Sequence, residues 1–303
     1  MNNDNLFPAL PLSEWTKTKE TLHRYLQIVG KLRLSLMPQN NHWWHITLYV
    51  TNNGVATGPI PNKDFTFEVA FDFIDHKLIV STSKGERHSF QLKDGLSVAD
   101  FYKKLATILD ELNVEFDILA KPFDLSDTIP FDECNMHHSY DKDAVHKAWK
   151  IMVQVDMVFK KFSGKSYSKT CPVHIYWHHL DLVVTRFSGE EAPDMGDVSQ
   201  VEKEAYSHEV ISFGFWFGDD TIKEPAFYSY TYPSPEGIDK EPLQPKSAKW
   251  QDSNGSPMAL LLYKDIRTSD NPKQEIMDFL ESSYQAGAKL AGWDIEALKV
   301  NPE

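Results

Sequence analysis

The sequence of 303 residues has few cysteines and a deficit of basic residues, and both features exclude classes of protein. Its 2 cysteines, Cys134 and Cys171, form no Cys-x-x-Cys motif and indicate no disulfide framework. Its 31 Lys and Arg are outnumbered by 44 Asp and Glu, for a formal net charge of −13. Because affinity for nucleic acid depends on basic residues that neutralise phosphates, we expect no nucleic-acid partner and no binding to anionic membranes.

Long apolar segments are also missing. The longest runs, such as residues 258–263, are far too short to cross a bilayer. The N-terminal segment MNNDNLFPALPL lacks the basic region and apolar core of a signal peptide. With 41% apolar residues the chain can bury a large core, so we expect a soluble, acidic, globular protein of the cytoplasm.

Several common catalytic motifs do not occur. No two glycines are separated by one residue, and there is no Gly-x-Ser-x-Gly and no His-Glu-x-x-His. Gly164-Lys165-Ser166 lacks the upstream glycine of a P-loop because position 159 is Phe. These absences argue against the common NTPases, Rossmann enzymes, α/β-hydrolases and zincins.

The hydrophobic periodicity predicts a mixed fold. Apolar stripes of period 3.6 predict helices over 13–29, 97–112, 141–162 and 271–290, the first of them ending at Gly30. Alternation predicts strands over 45–51, 65–74, 77–82, 87–92, 114–119, 174–186, 208–217, 226–232 and 258–263. Short links between strands favour antiparallel pairing. The predicted fold class is α+β, a mainly antiparallel sheet packed against long amphipathic helices.

The chain divides into two halves that have the same order of elements. Residues 1–121 and 141–303 each run helix, strands, helix, and an irregular polar connector over 122–140 separates them. Residues 45–51 are similar to residues 179–185. The halves are either products of an ancient duplication or parts of one compact domain in which two strands are similar by chance.

Several segments spread over the chain carry a resemblance. They are LSEW at 12–15, NHWWH at 41–45, IPFD at 129–132, PVHIYW at 172–177, DLVVTRFSG at 181–189, EAYSHEV at 204–210, GFW at 214–216 and PAFYSYTYP at 225–233. Together they resemble an uncharacterised bacterial family of about 300 residues, known only as a domain of unknown function. Phe217 departs from the proline expected there. The resemblance implies one unit over nearly the whole chain and supplies no catalytic residues.

The 12 histidines cluster beside tryptophans and are candidate ligands. A metal site needs its ligands around one point, but His174 and His178 on one strand would lie ~13 Å apart. A site would therefore need residues from several strands. The candidate metal ligands are His45, His178, His208 and Glu209. Otherwise the histidines pack on aromatic rings at strand ends, and no metal is bound.

Aromatic and histidine side chains also share predicted sheet faces. On the predicted strand 174–186, His174 and Arg186 lie on one face, and Trp216 shares a face with Gly214 on a later strand. Apolar walls with a few polar tips are typical of small-molecule pockets, although ordinary sheet core has the same make-up. The predicted ligand-binding residues are Trp44, His45, His174, Tyr176, His178, Arg186, His208, Trp216, Tyr228 and Tyr230.

Three functional hypotheses follow. The first is small-molecule binding in an aromatic and His-lined pocket on the sheet. The second is a hydrolase-like enzyme, metal-assisted if the histidines meet. The third is a protein-interaction module that uses the acidic surface and the proline-rich loop 233–245. The sequence indicates no catalytic residue, cofactor or oligomeric state.

Overall fold

The computed structural model describes residues 6–253 and 255–300 and has helices and two antiparallel sheets, which confirms the α+β class. The helices are α1 Leu12–Leu36, α2 Val98–Glu111, α3 Lys142–Ser163, α4 Gln200–Ala205, α5 Tyr263–Ile266, α6 Pro272–Leu290 and α7 Ile295–Leu298. Short 3₁₀ segments cover Asn41–Ile46 and Ile238–Lys240. Within these residues no helix is both long enough and apolar enough to span a membrane.

The strands form two sheets, each from one predicted half. The first contains β1 Tyr49–Val50, β2 Gly54–Ala56, β3 Ile60–Asn62, β4 Phe65–Asp72, β5 Lys77–Thr82 and β6 Arg87–Gln91. The second contains β7 His174–Tyr176, β8 Asp181–Glu191, β9 His208–Trp216, β10 Ala226–Tyr232, β11 Lys249–Ser253 and β12 Ser256–Leu262.

The order of strands is β1-β2-β4-β5-β6 in the first sheet, with β3 beside β4, and β11-β12-β10-β9-β8-β7 in the second. Leu48 and Ile175 exchange both backbone hydrogen bonds, at 2.9 and 2.7 Å. This bridge joins the start of the first sheet to the edge of the second. One hydrophobic cluster contains residues of both halves, and their origin by duplication stays a prediction.

Helices α3 and α6 cover one face of the second sheet. Phe162 of α3 contacts Phe213 of β9 with ring centroids 4.8 Å apart. At Gly287 of α6, an added Cβ would lie 2.2 Å from the Thr231 hydroxyl oxygen, so the helix approaches β10 closely. The opposite face of this sheet is called the open face below, and His42 of the 3₁₀ segment and Tyr206, the residue after α4, pack against it.

Helix α1 runs through the centre of the molecule, where every residue from 21 to 33 is buried. The prediction that it ends at Gly30 is wrong, since it continues to Leu36. An added Cβ at Gly30 would lie 2.0 Å from Trp177 Cδ1. This glycine therefore permits close packing inside the helix and does not stop it.

Polar side chains of α1 bind the irregular segments around it. His23 Nε2 donates to the Trp177 carbonyl at 2.9 Å, and Gln27 Nε2 donates to the Phe123 carbonyl at 2.9 Å. Arg33 Nε donates to the His45 carbonyl at 3.0 Å. Helix α1 therefore fixes a turn, the connector and the 3₁₀ segment in their positions.

Two strand predictions are wrong along most of their length. Residues 41–46 form the 3₁₀ segment, so the strand predicted over 45–51 is reduced to β1, and residues 114–119 form no strand. The predictions over 77–82 and 226–232 match β5 and β10.

Candidate functional site

The β7–β8 hairpin decides which side chains meet on the open face. The continuous strand predicted over 174–186 is wrong, because the chain reverses at residues 177–180, with Leu180 in the left-handed region at φ 56°. As a result His174 pairs with Val183, and Tyr176 pairs with Asp181. Paired residues of neighbouring strands share a face, so Asp181 joins Tyr176 on the open face.

Arg186 lies on the opposite face, against the helices, so the prediction that it shares a face with His174 is wrong. Its guanidinium carbon is 3.6 Å from the centroid of the Phe162 ring and 4.5 Å from that of Tyr284. Its Nη2 donates to the Phe162 carbonyl at 2.5 Å. Burial lowers the pKa of Arg186 to about 10. The guanidinium is held by aromatic rings and a backbone carbonyl inside the core.

Asp181 is the buried centre of the open face, with 6% of its surface exposed. The Tyr228 hydroxyl donates to Asp181 Oδ2 at 2.5 Å. Tyr228 reaches it from two strands away by crossing β9 at Gly214, where an added Cβ would lie 2.2 Å from Tyr228 Cζ. Gly214 therefore permits this contact.

The second carboxylate oxygen, Asp181 Oδ1, is buried and has no hydrogen-bond partner. Among the ion pairs of the described residues, none includes Asp181. Burial raises the pKa of Asp181 above its ordinary value, and the hydrogen bond from Tyr228 offsets part of this rise. Asp181 Oδ1 is thus a buried acceptor that has neither a hydrogen-bond donor nor a cationic partner among the described residues.

Further aromatic side chains of the open face continue from Tyr228, the residue that contacts this carboxyl. Tyr206, the residue after α4, and Tyr230 have hydroxyl oxygens 3.0 Å apart. The rings of Tyr228 and Tyr230 are stacked at 6.2 Å, and that of Trp216 meets Tyr228 edge-on at 5.5 Å. The Asp181 cluster is defined here as Asp181 with Tyr176, Tyr206, Trp216, Tyr228 and Tyr230.

The tyrosines of the cluster keep their protons. Burial raises the pKa of Tyr176, Tyr206, Tyr228 and Tyr230. The negative charge of Asp181 further raises the pKa of Tyr176, Tyr206 and Tyr228. Each of the four side chains is partly exposed. The cluster therefore presents aromatic faces and hydroxyl donors above a buried carboxyl.

Two predicted histidines border the cluster. The His174 ring is 4.6 Å from that of Tyr176, and the His178 ring is 5.1 Å from it. His174 Nδ1 donates to the Pro172 carbonyl at 2.7 Å. Burial lowers the pKa of His174 to about 4 and that of His178 to about 3, so both rings are neutral at pH 7.

Two other predicted residues, Trp44 and His208, gather around His42. The His42 ring lies 5.1 Å from Trp44, 5.7 Å from His208 and 4.6 Å from Phe187. His42 Nδ1 donates to the Ala205 carbonyl at 3.2 Å, and Nε2 accepts from Lys169 Nζ at 2.7 Å. The His42 group is defined as His42, Trp44, Lys169, Phe187 and His208.

The His42 group adjoins the Asp181 cluster and a groove. The Tyr176 hydroxyl donates to the His42 carbonyl at 3.3 Å. His42 and Trp43 are both left-handed, at φ 54° and 61°, which is costly for residues with large side chains. A groove of about 500 Å³ lies between the 3₁₀ segment and α4, lined by Gln39, Asn40, Asn41, His42, Gln200, Lys203, Glu204 and Ser207.

The four candidate metal ligands have separate surroundings. His45 Nδ1 accepts from the Asn40 amide at 3.2 Å, and Glu209 Oε2 accepts from Trp293 Nε1 at 3.1 Å. His178 borders the Asp181 cluster, and His208 belongs to the His42 group. In the part of the chain that the structure describes, no three His, Cys, Asp or Glu residues are placed to hold a metal ion.

Residues 7–300 match the model of a family of unknown function, DUF5996. The chain belongs to this family. The match confirms the resemblance to an uncharacterised family over nearly the whole sequence. No curated protein and no solved structure matches the chain. Membership in DUF5996 therefore brings no activity with it.

Three residues of this DUF5996 chain were absent from the predicted ligand-binding set: Asp181, Tyr206 and His42. A straight strand over 174–186 places Asp181 on the face away from Tyr176, and only the turn reverses this. The available signal is a single acidic residue in the otherwise apolar run over 180–184. Tyr206 follows a short helix and carries no comparable signal.

Proposed function

We propose that this DUF5996 protein binds a small polar molecule at the Asp181 cluster. The observation that carries the proposal is Asp181 Oδ1, a buried acceptor with no partner. Buried polar atoms are nearly always hydrogen-bonded, and leaving one unsatisfied costs about 1–3 kcal/mol. A ligand that donates to this oxygen would recover that free energy.

The surroundings of Asp181 suit such a ligand. Small-molecule sites combine apolar, mostly aromatic walls with a few fixed polar groups. Here Trp216 and the tyrosines supply the walls, and these side chains are partly exposed whereas Asp181 is buried. Because Oδ1 itself is not exposed, a ligand reaches it when one of these rings turns aside. The partial exposure of the rings supports that step.

The other functional hypotheses stay predictions. His174 and His178 are neutral at pH 7, which suits hydrogen bonding to a ligand and does not supply an imidazolium acid for catalysis. The acidic composition supports the absence of nucleic-acid partners, and the two cysteines without a Cys-x-x-Cys motif support a cytoplasmic location. The enzyme and interaction hypotheses have no reaction or partner to name.

A fragment screen by ligand-observed NMR tests the proposal. Fragments that bind the wild-type protein should lose binding at least about tenfold in Asp181→Asn, equivalent to 1.4 kcal/mol. The matched control is Asp110→Asn, which changes an exposed carboxylate on α2. A set of fragments that binds wild type, control and Asp181→Asn equally would overturn the proposed site.

A further inference from the structure

We infer that the ligand of the Asp181 cluster is an organic cation, a small molecule that carries an amine or quaternary ammonium group. This inference rests on the proposed binding function and adds the chemical class of the ligand. It follows from two observations, the missing counter-charge of Asp181 and the missing cation over the surrounding rings.

The first observation concerns charge. An ionised carboxylate that is 94% buried requires an opposite charge or several hydrogen bonds. Asp181 has one hydrogen bond, from Tyr228, on one of its two oxygens. A ligand ammonium would supply both a positive charge and a donor for Oδ1. An anionic ligand would be repelled by the same carboxylate.

The second observation concerns the aromatic faces. Rings attract cations through their negative faces, and the protein uses this elsewhere. Lys169 lies over Trp44 and Phe187, and Arg186 lies over Phe162 and Tyr284. Over residues 6–253 and 255–300, by contrast, no Lys or Arg lies over a ring of the Asp181 cluster.

The two observations point to the same ligand. Cages of aromatic rings with a nearby carboxylate recognise ammonium groups, because ring faces and carboxylate both favour positive charge. A neutral hydroxylated ligand would use the hydroxyl donors but would leave the carboxylate without a counter-charge. Tyr228 contacts Asp181, and its ring stacks on Tyr230 and meets Trp216 edge-on, so several aromatic surfaces continue from the carboxyl.

The pH dependence of binding distinguishes a cation from a neutral ligand that accepts a hydrogen bond from the protonated carboxyl. The titratable groups facing Asp181 are Tyr176 of β7, His179 of the turn, Tyr206 after α4 and Tyr228 of β10. A cation binds the ionised carboxylate, so its affinity rises with pH as Asp181 loses its proton. A neutral ligand that accepts from the protonated carboxyl shows the opposite trend.

The test compares matched probes by NMR titration, namely benzylamine with benzyl alcohol, and tetramethylammonium with tert-butanol. We expect each cation to bind at least about tenfold more tightly than its neutral counterpart. In Asp181→Asn we expect the two affinities to become equal. Asp110→Asn should keep the wild-type ratio. Tyr230→Phe keeps the aromatic ring and should bind the cations like wild type. Tyr230→Leu removes the ring and should bind them more weakly.

The outcomes separate the inference from the proposed function. Equal affinity for cation and neutral probe, or no binding of either cation, overturns the inference. Fragments found in the screen that still depend on Asp181 would then leave the proposed function standing. If Asp181→Asn fails to fold, as judged by circular dichroism, the two Tyr230 variants provide the test. Equal cation binding by Tyr230→Phe and Tyr230→Leu would contradict a contribution of the aromatic ring to cation binding.

Discussion

Tyr228 reaches Asp181 from two strands away, and its hydroxyl lies 2.5 Å from Oδ2. The contact crosses β9 at Gly214, the residue that pairs with both Val183 and Tyr228. A side chain on the middle strand would occupy the space of the tyrosine ring. The geometry of the Asp181 cluster therefore depends on Gly214, which lies on the strand between Asp181 and Tyr228.

We expect Gly214→Ala to destabilise the protein by about 1–3 kcal/mol, because the new methyl group would overlap the Tyr228 ring and move it from Asp181. Urea unfolding measures this change. Gly164→Ala is the matched control, since Gly164 has helical φ and ψ and its added Cβ would make only ordinary contacts. The control should change stability by less than about 1 kcal/mol. Equal effects of the two variants would contradict the crowding at Gly214.

Asp181→Asn should change how stability depends on pH. Burial raises the pKa of Asp181, so the folded state holds its proton more tightly than the unfolded state. Its contribution to stability is complete below the ordinary value of 3.8 and is lost as pH rises through the folded-state pKa. The amide has no such loss, so the variant should gain stability relative to wild type between acidic and neutral pH.

Urea unfolding at a series of pH values measures this difference, with Asp110→Asn showing how much of any trend comes from removing an exposed carboxylate. A constant difference between wild type and Asp181→Asn across the range would show that burial does not perturb the carboxyl.

How far the sequence predicts the fold depends on whether the signal is local. Residues 77–82 and 226–232 alternate cleanly, and both became strands with these bounds. The turn at 177–180 has no local signal, because Leu180 is an unfavourable residue for φ 56°. It is held by His23 of α1, whose Nε2 donates to the Trp177 carbonyl. Only the folded chain brings these residues together.

In the candidate site, too, local sequence patterns predict some of the residues and miss others. Alternation along β9 and β10 correctly places Trp216, Tyr228 and Tyr230 on one face. Asp181 depends on the unpredicted turn, and Tyr206 comes from the segment that crosses the sheet. Periodicity identifies which residues share a strand face, but it contains no information about which irregular segment covers that face.

The ion pair between Arg24 and Asp127 should stabilise the connector against α1. Arg24 is 3% exposed, and Asp127 also accepts from His137 Nε2 at 3.0 Å. Asp127→Asn leaves the buried guanidinium without its counter-charge, and we expect a loss of about 1–3 kcal/mol in urea unfolding. Asp124→Asn is the matched control in the same connector. Its pair with His179 is exposed, so the effect should stay below about 1 kcal/mol.

This ion pair should also be sensitive to acid. Burial by itself raises the pKa of Asp127, but the hydrogen bond from His137 and the charge of Arg24 lower it overall. Its contribution to stability is present above the ordinary value of 3.8 and is lost as pH falls through the folded-state pKa. The stability difference between wild type and Asp127→Asn should therefore shrink below that pH. A difference that grew on acidification would contradict this assignment.

Lys169→Met should raise the pKa of His42. Burial lowers this pKa most, and the positive charge of Lys169 lowers it further. Lys169 Nζ donates to His42 Nε2 at 2.7 Å, and protonation of the ring would remove that acceptor. Imidazole titration by ¹H–¹⁵N NMR should show His42 protonating at higher pH in the variant. Lys203→Met changes a lysine in the adjacent groove and should leave the titration closer to wild type. A His42 titration identical in wild type and Lys169→Met would mean that the two groups are not coupled in solution.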